Sequence, residues 1–161
     1  MVIEMAAKTN AVRIVTASGY RCTEGFYKYD ENDLNGNHAA VALGLPSEQV
    51  FKTLVTRGPH TGINVFCIPV CCELDLKKAA KAAGDKNMEM VAVKELLGLT
   101  GYIRGGCSPV GMKKKYPTHF DETCILWDEI AISAGARGHQ MIAPPEALAQ
   151  LVDADFDDII V

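Results

Sequence analysis

Apolar and polar positions follow two periods along this chain, and the change from one to the other marks the predicted elements. Over residues 4–18, Ala6, Val12, Ile14, Val15 and Ala17 form much of one helical face, and Gly19 stands where such a helix stops. Residues 20–29 are rich in aromatic and β-favouring side chains and predict a strand. The polar stretch 30–37 predicts a loop, followed by a short helix over 38–43 with Asn37 as its N-cap and Gly44 as its stop. Over residues 50–57 the period drops to two, placing Val50, Lys52 and Leu54 on one face and Phe51, Thr53 and Val55 on the other. A turn at 58–62 leads to a third strand at 63–70, so the two strands predict a hairpin. Helical spacing returns over 74–83 through Leu76, Ala79, Ala80 and Ala83, and Gly84 closes the run.

The second half is more broken. Residues 88–92 predict a short strand and 93–97 a short helix, and five glycines make 98–111 a loop. Residues 119–120 and 125–127 are short strand candidates. Residues 129–134 and 139–143 predict a strand pair around Gly135-Ala136-Arg137-Gly138, and Pro144-Pro145-Glu146 opens a final helix that ends near Asp153. No repeat or linker divides the chain. The order predicts an α+β class with a mixed sheet, in one domain over residues 1–161, and the lack of regular βαβ alternation excludes a Rossmann layout.

Composition narrows the class. A hydrophobic fraction of 48% with 22% charged residues excludes a disordered chain. No apolar run approaches the ~18 residues of a membrane-spanning helix, and residues 1–13 lack the pattern of an export signal, so the expected location is the cytoplasm, without a membrane partner. The six cysteines are then expected to be reduced thiols. None has C-x-x-C spacing, and Cys67, Cys71 and Cys72 lack the second ligand pair of a zinc knuckle, so neither a metal nor a cofactor is expected.

The net charge of -4 argues at first against a nucleic-acid partner. The sum hides a split. All 16 basic residues lie at or before Arg137, whereas residues 77–115 hold nine basic side chains against Asp85, Glu89 and Glu95. Nucleic-acid binding is therefore open, provided that it is local and steeply salt-dependent.

Four groups of residues are candidates for chemistry. Lys52 is either a solvated lysine or a fixed ammonium that stabilises a developing oxyanion. In Gly101–Gly111, the pair Gly105-Gly106 lets backbone amides approach a ligand, and Ser108-Pro109 bends the chain behind it. Lys113-Lys114-Lys115 is either a solvated run or a phosphate-contacting patch. The turn from Ser133 through Gly135 to Arg137 offers a hydroxyl, amides and a guanidinium. There is no G-x-S-x-G elbow, and Cys107, with His119 as base, is the best thiol-nucleophile candidate.

Taken together, QVFKTLV at 49–55, ELDLKKAAKAAG at 73–84, TGYIRGGCSPVGMKKK at 100–115 with Pro117-Thr118, and ISAGARG at 132–138 resemble the YbaK/EbsC family of aminoacyl-tRNA deacylases. That family is related to the editing domain inserted in some prolyl-tRNA synthetases, and the resemblance runs from about residue 11 to 159. It implies a mixed, barrel-like β-sheet surrounded by helices. It implies a pocket in which Lys52, Gly105 and Gly106 act on the aminoacyl ester, with Tyr27, Thr53, Ser108, Ser133, Gly135 and Arg137 shaping the substrate site. Lys113, Lys114 and Lys115 are then the expected tRNA contacts. The implied substrate is Cys-tRNA(Pro), with Cys-tRNA(Cys) left open beside it, cleaved by its own thiol with no protein nucleophile and no cofactor. A prolyl-tRNA synthetase partner and a homodimer stay open. So do a hydrolytic Ala-tRNA(Pro) deacylase and a non-catalytic nucleic-acid-binding regulator. One position departs from the pattern: Gln140 stands where an aspartate often lies.

Overall fold

A computed structural model describes residues 8–161. Residues 4–7 of the expected first helix, Ala6 among them, lie outside the described residues. Helix α1 spans Asn10–Ala17 and begins where the Thr9 hydroxyl accepts the Val12 N–H. It buries Ala11, Val12 and Val15, while Ala17 is exposed.

Strand β1, Thr23–Phe26, is shorter than the expected 20–29. Its pairing ends after Tyr27 donates its N–H to the Gly138 carbonyl, and the chain then leaves the sheet. Helix α2 is Asn37–Leu43; its N-cap is Gly36 rather than Asn37, whose N–H is held by the Asn35 side chain. The hairpin β2 (Phe51–Gly58) and β3 (Gly62–Pro69) forms as expected, with Lys52 opposite Ile68 and Thr53 opposite Cys67. Helix α3 is Leu76–Ala83; it starts later than expected because the Asp75 carboxylate caps it through the Lys77 and Lys78 N–H groups.

Strand β4 is only Glu89–Met90, and helix α4, Val93–Thr100, runs past the expected end through Gly98. Glu95 anchors its first turn by accepting the Ala92 N–H. Strand β5 is Thr118–Asp121. Residues 125–127 are not a strand: the Asp121 carboxylate accepts the N–H and hydroxyl of Thr123 and starts a 3-10 turn over Glu122–Leu126. Strands β6 (Ile130–Ala136) and β7 (His139–Ala143) form the second hairpin, with a register shift between Ser133 and Ala136. Helix α5 is Pro145–Val152. A short strand not expected from the sequence, β8 at Asp155–Asp157, pairs in parallel with β5.

The strands form a three-stranded sheet, β1-β7-β6, and a mixed five-stranded sheet, β4-β2-β3-β5-β8. Val50 bridges to Ala131 and joins them. The mixed α+β architecture is the expected one. Among the described residues it takes the form of two bridged sheets rather than one closed barrel. Phe51 and Val55 of β2 share a core with Phe120 of β5, Ile130 and Ile132 of β6, Met141 of β7 and Val12 of α1. Burying a large apolar side chain contributes roughly 1.5–3 kcal/mol, so this core fixes β2 against β6. No helix of the described residues is long and apolar enough to cross a membrane.

Candidate active site

A cavity of about 910 Å³ opens where the two sheets meet, bordered by β2, the β6–β7 hairpin and the loop after α4. Its size is that of small-molecule sites. Val50 and strand β2 along residues 51–55 border it, which places both Lys52 and Thr53 at its wall. Lys52 is half-buried, and its ammonium has no hydrogen-bond or ion-pair partner among the described residues. Thr53 lies 3.7 Å from the Cys67 sulfur. Tyr27, Ser133 and Arg137 also border the cavity.

The two adjacent glycines of the loop do different things. Gly106 donates its N–H to the Ile103 carbonyl at 2.9 Å, closing a four-residue turn whose third position is Gly105. Gly105 has φ 85°, so the turn is type II, which favours glycine there. Gly105 borders the cavity, and having no side chain it does so with its backbone. Gly106 does not border it. A Cβ on Gly106 would sit 3.0 Å from the Ala136 carbonyl carbon and from the Arg137 nitrogen. Gly106 thus lets the loop pack against the β6–β7 turn, and its amide is already used. The next residue at the cavity is Cys107. Arg137 holds the same loop by donating Nε–H to the Arg104 carbonyl at 2.8 Å.

The remaining expected site residues lie apart from the cavity. Ser108 is fully buried and accepts the Val110 N–H at 3.2 Å, so its hydroxyl shapes the turn. Gly135 donates its N–H to the Ser133 hydroxyl at 3.2 Å and lies under the Tyr102 ring. Lys113, Lys114 and Lys115 do not border the cavity. Lys114 and Lys115 edge a separate cleft of about 110 Å³, where Lys115 pairs with Asp153.

The thiol candidate is not supported by its surroundings. Burial pushes the Cys107 thiol up to about 12, against a hydrogen bond with Thr100 that lowers it. His119 is not brought to it. Its ring stacks on Phe66 with centroids 4.9 Å apart, and its Nδ1 lies 2.9 Å from Asp157. A group so protonated, without a base, is a poor nucleophile at neutral pH.

Three parts of the cavity wall are not apparent from sequence patterning. The polar loop before α2 is structured by its own side chains: Asp30 accepts the Asn32 N–H, and Asn35 accepts the Asn37 N–H. Its alternation of Asp and Asn is the signal for such turns. Asp33 of this loop pairs with His38 at 2.8 Å, and that hydrogen bond holds its carboxyl below the usual range. Cys71 and Cys72 form a second part, just after β3. The third is Gln140, noted in the sequence only as a departure, which is buried at the cavity with Oε1 unpartnered among the described residues.

Residues 37–151 match the aminoacyl-tRNA editing domain family. A protein of Enterococcus faecalis named as a Cys-tRNA(Pro)/Cys-tRNA(Cys) deacylase, EbsC, is 45% identical over 152 residues, covering 94% of this chain and 93% of that one. A solved structure described as a trans-editing enzyme for prolyl-tRNA synthetase superposes with a TM-score of 0.79 at 26% identity, covering 94% of this chain and 92% of that one. A second solved structure, of a hypothetical protein, shares the fold with a TM-score of 0.81 at 20% identity over 91% of this chain and 96% of that one. With the cavity assembled from the quoted motifs, the family match across most of the chain and a relative this similar over nearly its whole length, the chain belongs to the aminoacyl-tRNA editing domain family.

Proposed function

We propose that the protein is a trans-acting aminoacyl-tRNA deacylase that clears cysteine mischarged onto tRNA(Pro). The observation that carries this reading is the Lys52 ammonium, unpartnered among the described residues, at a cavity where two of the three bordering thiols, Cys107 and Cys72, are pushed toward the protonated form. Neither of these two thiols is poised as a nucleophile toward the ester, so the site offers electrostatics and position. The substrate supplies its own nucleophile. Its thiol sulfur attacks the ester carbonyl, a C–S bond forms, the C–O bond to the ribose breaks, and the thiol proton ends on the ribose hydroxyl. The products are tRNA and a cysteine thiolactone. Lys52 stabilises the oxyanion that develops on the carbonyl, and the Gly105 backbone bounds the space the acyl group occupies.

Most of the remaining barrier is met by orientation. Holding thiol and carbonyl in near-attack geometry contributes up to ~7–11 kcal/mol in intramolecular systems. It also gives selection, since a side chain without a thiol cannot cyclise, whereas pocket size alone separates small side chains by only ~1–3 kcal/mol. Arg104 and Arg137 at the cavity, with Lys113, Lys114 and Lys115 outside it, are the proposed tRNA contacts. Prolyl-tRNA synthetase is the proposed source of the mischarged tRNA, and the relative structure described as its trans-editing partner supports that pairing.

The test compares Cys-tRNA(Pro) with Ala-tRNA(Pro) under single-turnover conditions. Rapid cleavage of the cysteine ester alone is expected, with a thiolactone trapped by an added amine. Equal rates on both esters replace the thiol-assisted mechanism with hydrolysis. Binding of tRNA without cleavage of either leaves a nucleic-acid-binding protein.

A further inference from the structure

Cys71 and Cys72 follow β3 after Val70, in a turn that Cys72 closes by donating its N–H to the Pro69 carbonyl at 3.0 Å. Both border the cavity. Their sulfurs lie 3.8 Å apart, within reach of an S–H···S contact. Cys71 is exposed and Cys72 half-buried, whereas Cys67, Cys107 and Cys124 are buried. Burial pushes the Cys72 thiol up to about 11, contact with Cys71 adds to this, and the Lys52 ammonium pulls it back. Lys52 borders the same cavity as the thiol pair.

We propose that Cys71 and Cys72 are an attack-and-resolve pair, which a hydroperoxide converts to a disulfide in the cavity wall. Exposure gives the attack to Cys71. Its sulfur takes one peroxide oxygen, the O–O bond breaks, and the products are a Cys71 sulfenic acid and an alcohol that keeps the thiol proton. The Cys72 sulfur then attacks the sulfenyl sulfur. An S–S bond forms, the S–O bond breaks, and the oxygen leaves as water with the Cys72 proton. In sum, two thiols and one hydroperoxide give one disulfide, one alcohol and one water. The sulfurs lose two electrons and the peroxide gains them. An accessible thiol beside a resolving one is also the arrangement in which oxidation stays reversible.

Closing the sulfurs from 3.8 Å to the bond length of about 2.05 Å turns both side chains and strains the turn at Pro69. The wall beside Lys52 then shifts. The consequence for ester cleavage rests on the deacylase reading: a displacement near 1 Å at the site costs about a hundredfold in rate.

The test treats the full chain with hydrogen peroxide, alkylates the remaining thiols and maps the tryptic peptide of residues 58–77, which carries Cys67, Cys71 and Cys72. The expected peptide has lost two hydrogens, with Cys67 alkylated after denaturation and neither Cys71 nor Cys72 alkylated. Cys72→Ser should trap the Cys71 sulfenic acid for capture by a 1,3-dione. Cys71→Ser should leave Cys72 a thiol at the same dose. Alkylation of both adjacent cysteines, a disulfide through Cys67, or one between two chains overturns the proposal. Cleavage of the cysteine ester should fall about a hundredfold on oxidation, recover with a dithiol reductant, and stay unchanged by peroxide in Cys71→Ser. A mapped disulfide with undiminished cleavage overturns the predicted effect on the site. If the reduced protein cleaves no ester, the deacylase reading fails, while peptide mapping still decides the thiol chemistry.

Discussion

Two groups of basic side chains differ in what the fold does with them. Lys52 stands on a strand whose neighbours Phe51 and Val55 are locked in the core, so its ammonium is held at the cavity, with no anion paired to it among the described residues. Lys113, Lys114 and Lys115 follow a loop on the outer surface, where Lys115 is paired with Asp153 and a backbone bond from Lys113 to Thr100 fixes only the start of the run. One strand position supplies a charge with a fixed address; three consecutive lysines supply charge without one. The first suits stabilisation of a single oxyanion, and the second suits attraction of a phosphate backbone.

Removing the fixed charge should give the largest effect. Lys52→Ala is expected to lower single-turnover deacylation by about 10²–10³-fold, the size seen when one oxyanion donor is lost. The melting temperature should stay unchanged, because the ammonium has no partner to lose among the described residues. Unaltered turnover would put Lys52 with the surface lysines and end the contrast.

Gly106→Ala comes next. The new Cβ meets backbone atoms of Ala136 and Arg137 at 3.0 Å, and neither can rotate away. Overpacking of this kind costs ~1–3 kcal/mol of stability, and the displaced loop carries Gly105 with it. The expected readout is a lowered melting temperature together with a loss of turnover approaching that of Lys52→Ala. Arg137→Lys should be milder. It keeps the charge but loses the planar donor to the Arg104 carbonyl, at about 1.5 kcal/mol, roughly a tenfold fall in kcat/KM. Arg137→Ala giving the same fall would show that geometry, not charge, is what Arg137 contributes.

How far these distinctions were legible depends on the scale of the signal. Lys52 was legible as a candidate because period-two patterning fixes a strand and its faces locally. The pair Gly105-Gly106 was legible as a loop, but the division of labour within it was not. It is set by the β6–β7 turn about 30 residues later in the chain, and nothing in the local sequence announces that contact. The same holds for β8, whose three residues become a strand only by pairing with β5. Residues 125–127 mislead in the opposite sense: their β-favouring side chains are overruled by one carboxylate, Asp121. Gln140 was legible as an unusual residue, yet the burial that leaves its Oε1 without a partner among the described residues is a tertiary fact.

The surface lysines should act through salt. If each of Lys113 and Lys114 meets one phosphate, replacing either with alanine should weaken binding of tRNA about equally for every amino acid attached. It should also reduce the slope of log affinity against log salt by about one. Lys115→Ala should do less, because its charge is shared with Asp153. An unchanged slope in all three variants would move the tRNA contact to Arg104 and Arg137 at the cavity mouth and merge the two regions.

The smallest expected effect is the one that tests whether the cavity works by electrostatics alone. Cys107 borders the cavity beside the glycine turn, so its position would suit a nucleophile. Its surroundings do not. Burial holds the thiol near 12, and His119 is engaged with Asp157 and Phe66. Serine keeps the shape and adds a buried hydroxyl. Cys107→Ser should therefore leave cleavage of the cysteine ester nearly unchanged, at a cost in stability of about 1 kcal/mol read from thermal unfolding. Because oxygen and sulfur differ so strongly as nucleophiles at neutral pH, a covalent role for Cys107 predicts collapse of activity in this same variant, with an acyl adduct visible by mass in the unmodified protein. Retained activity and no adduct leave Lys52 and the substrate thiol as the chemistry.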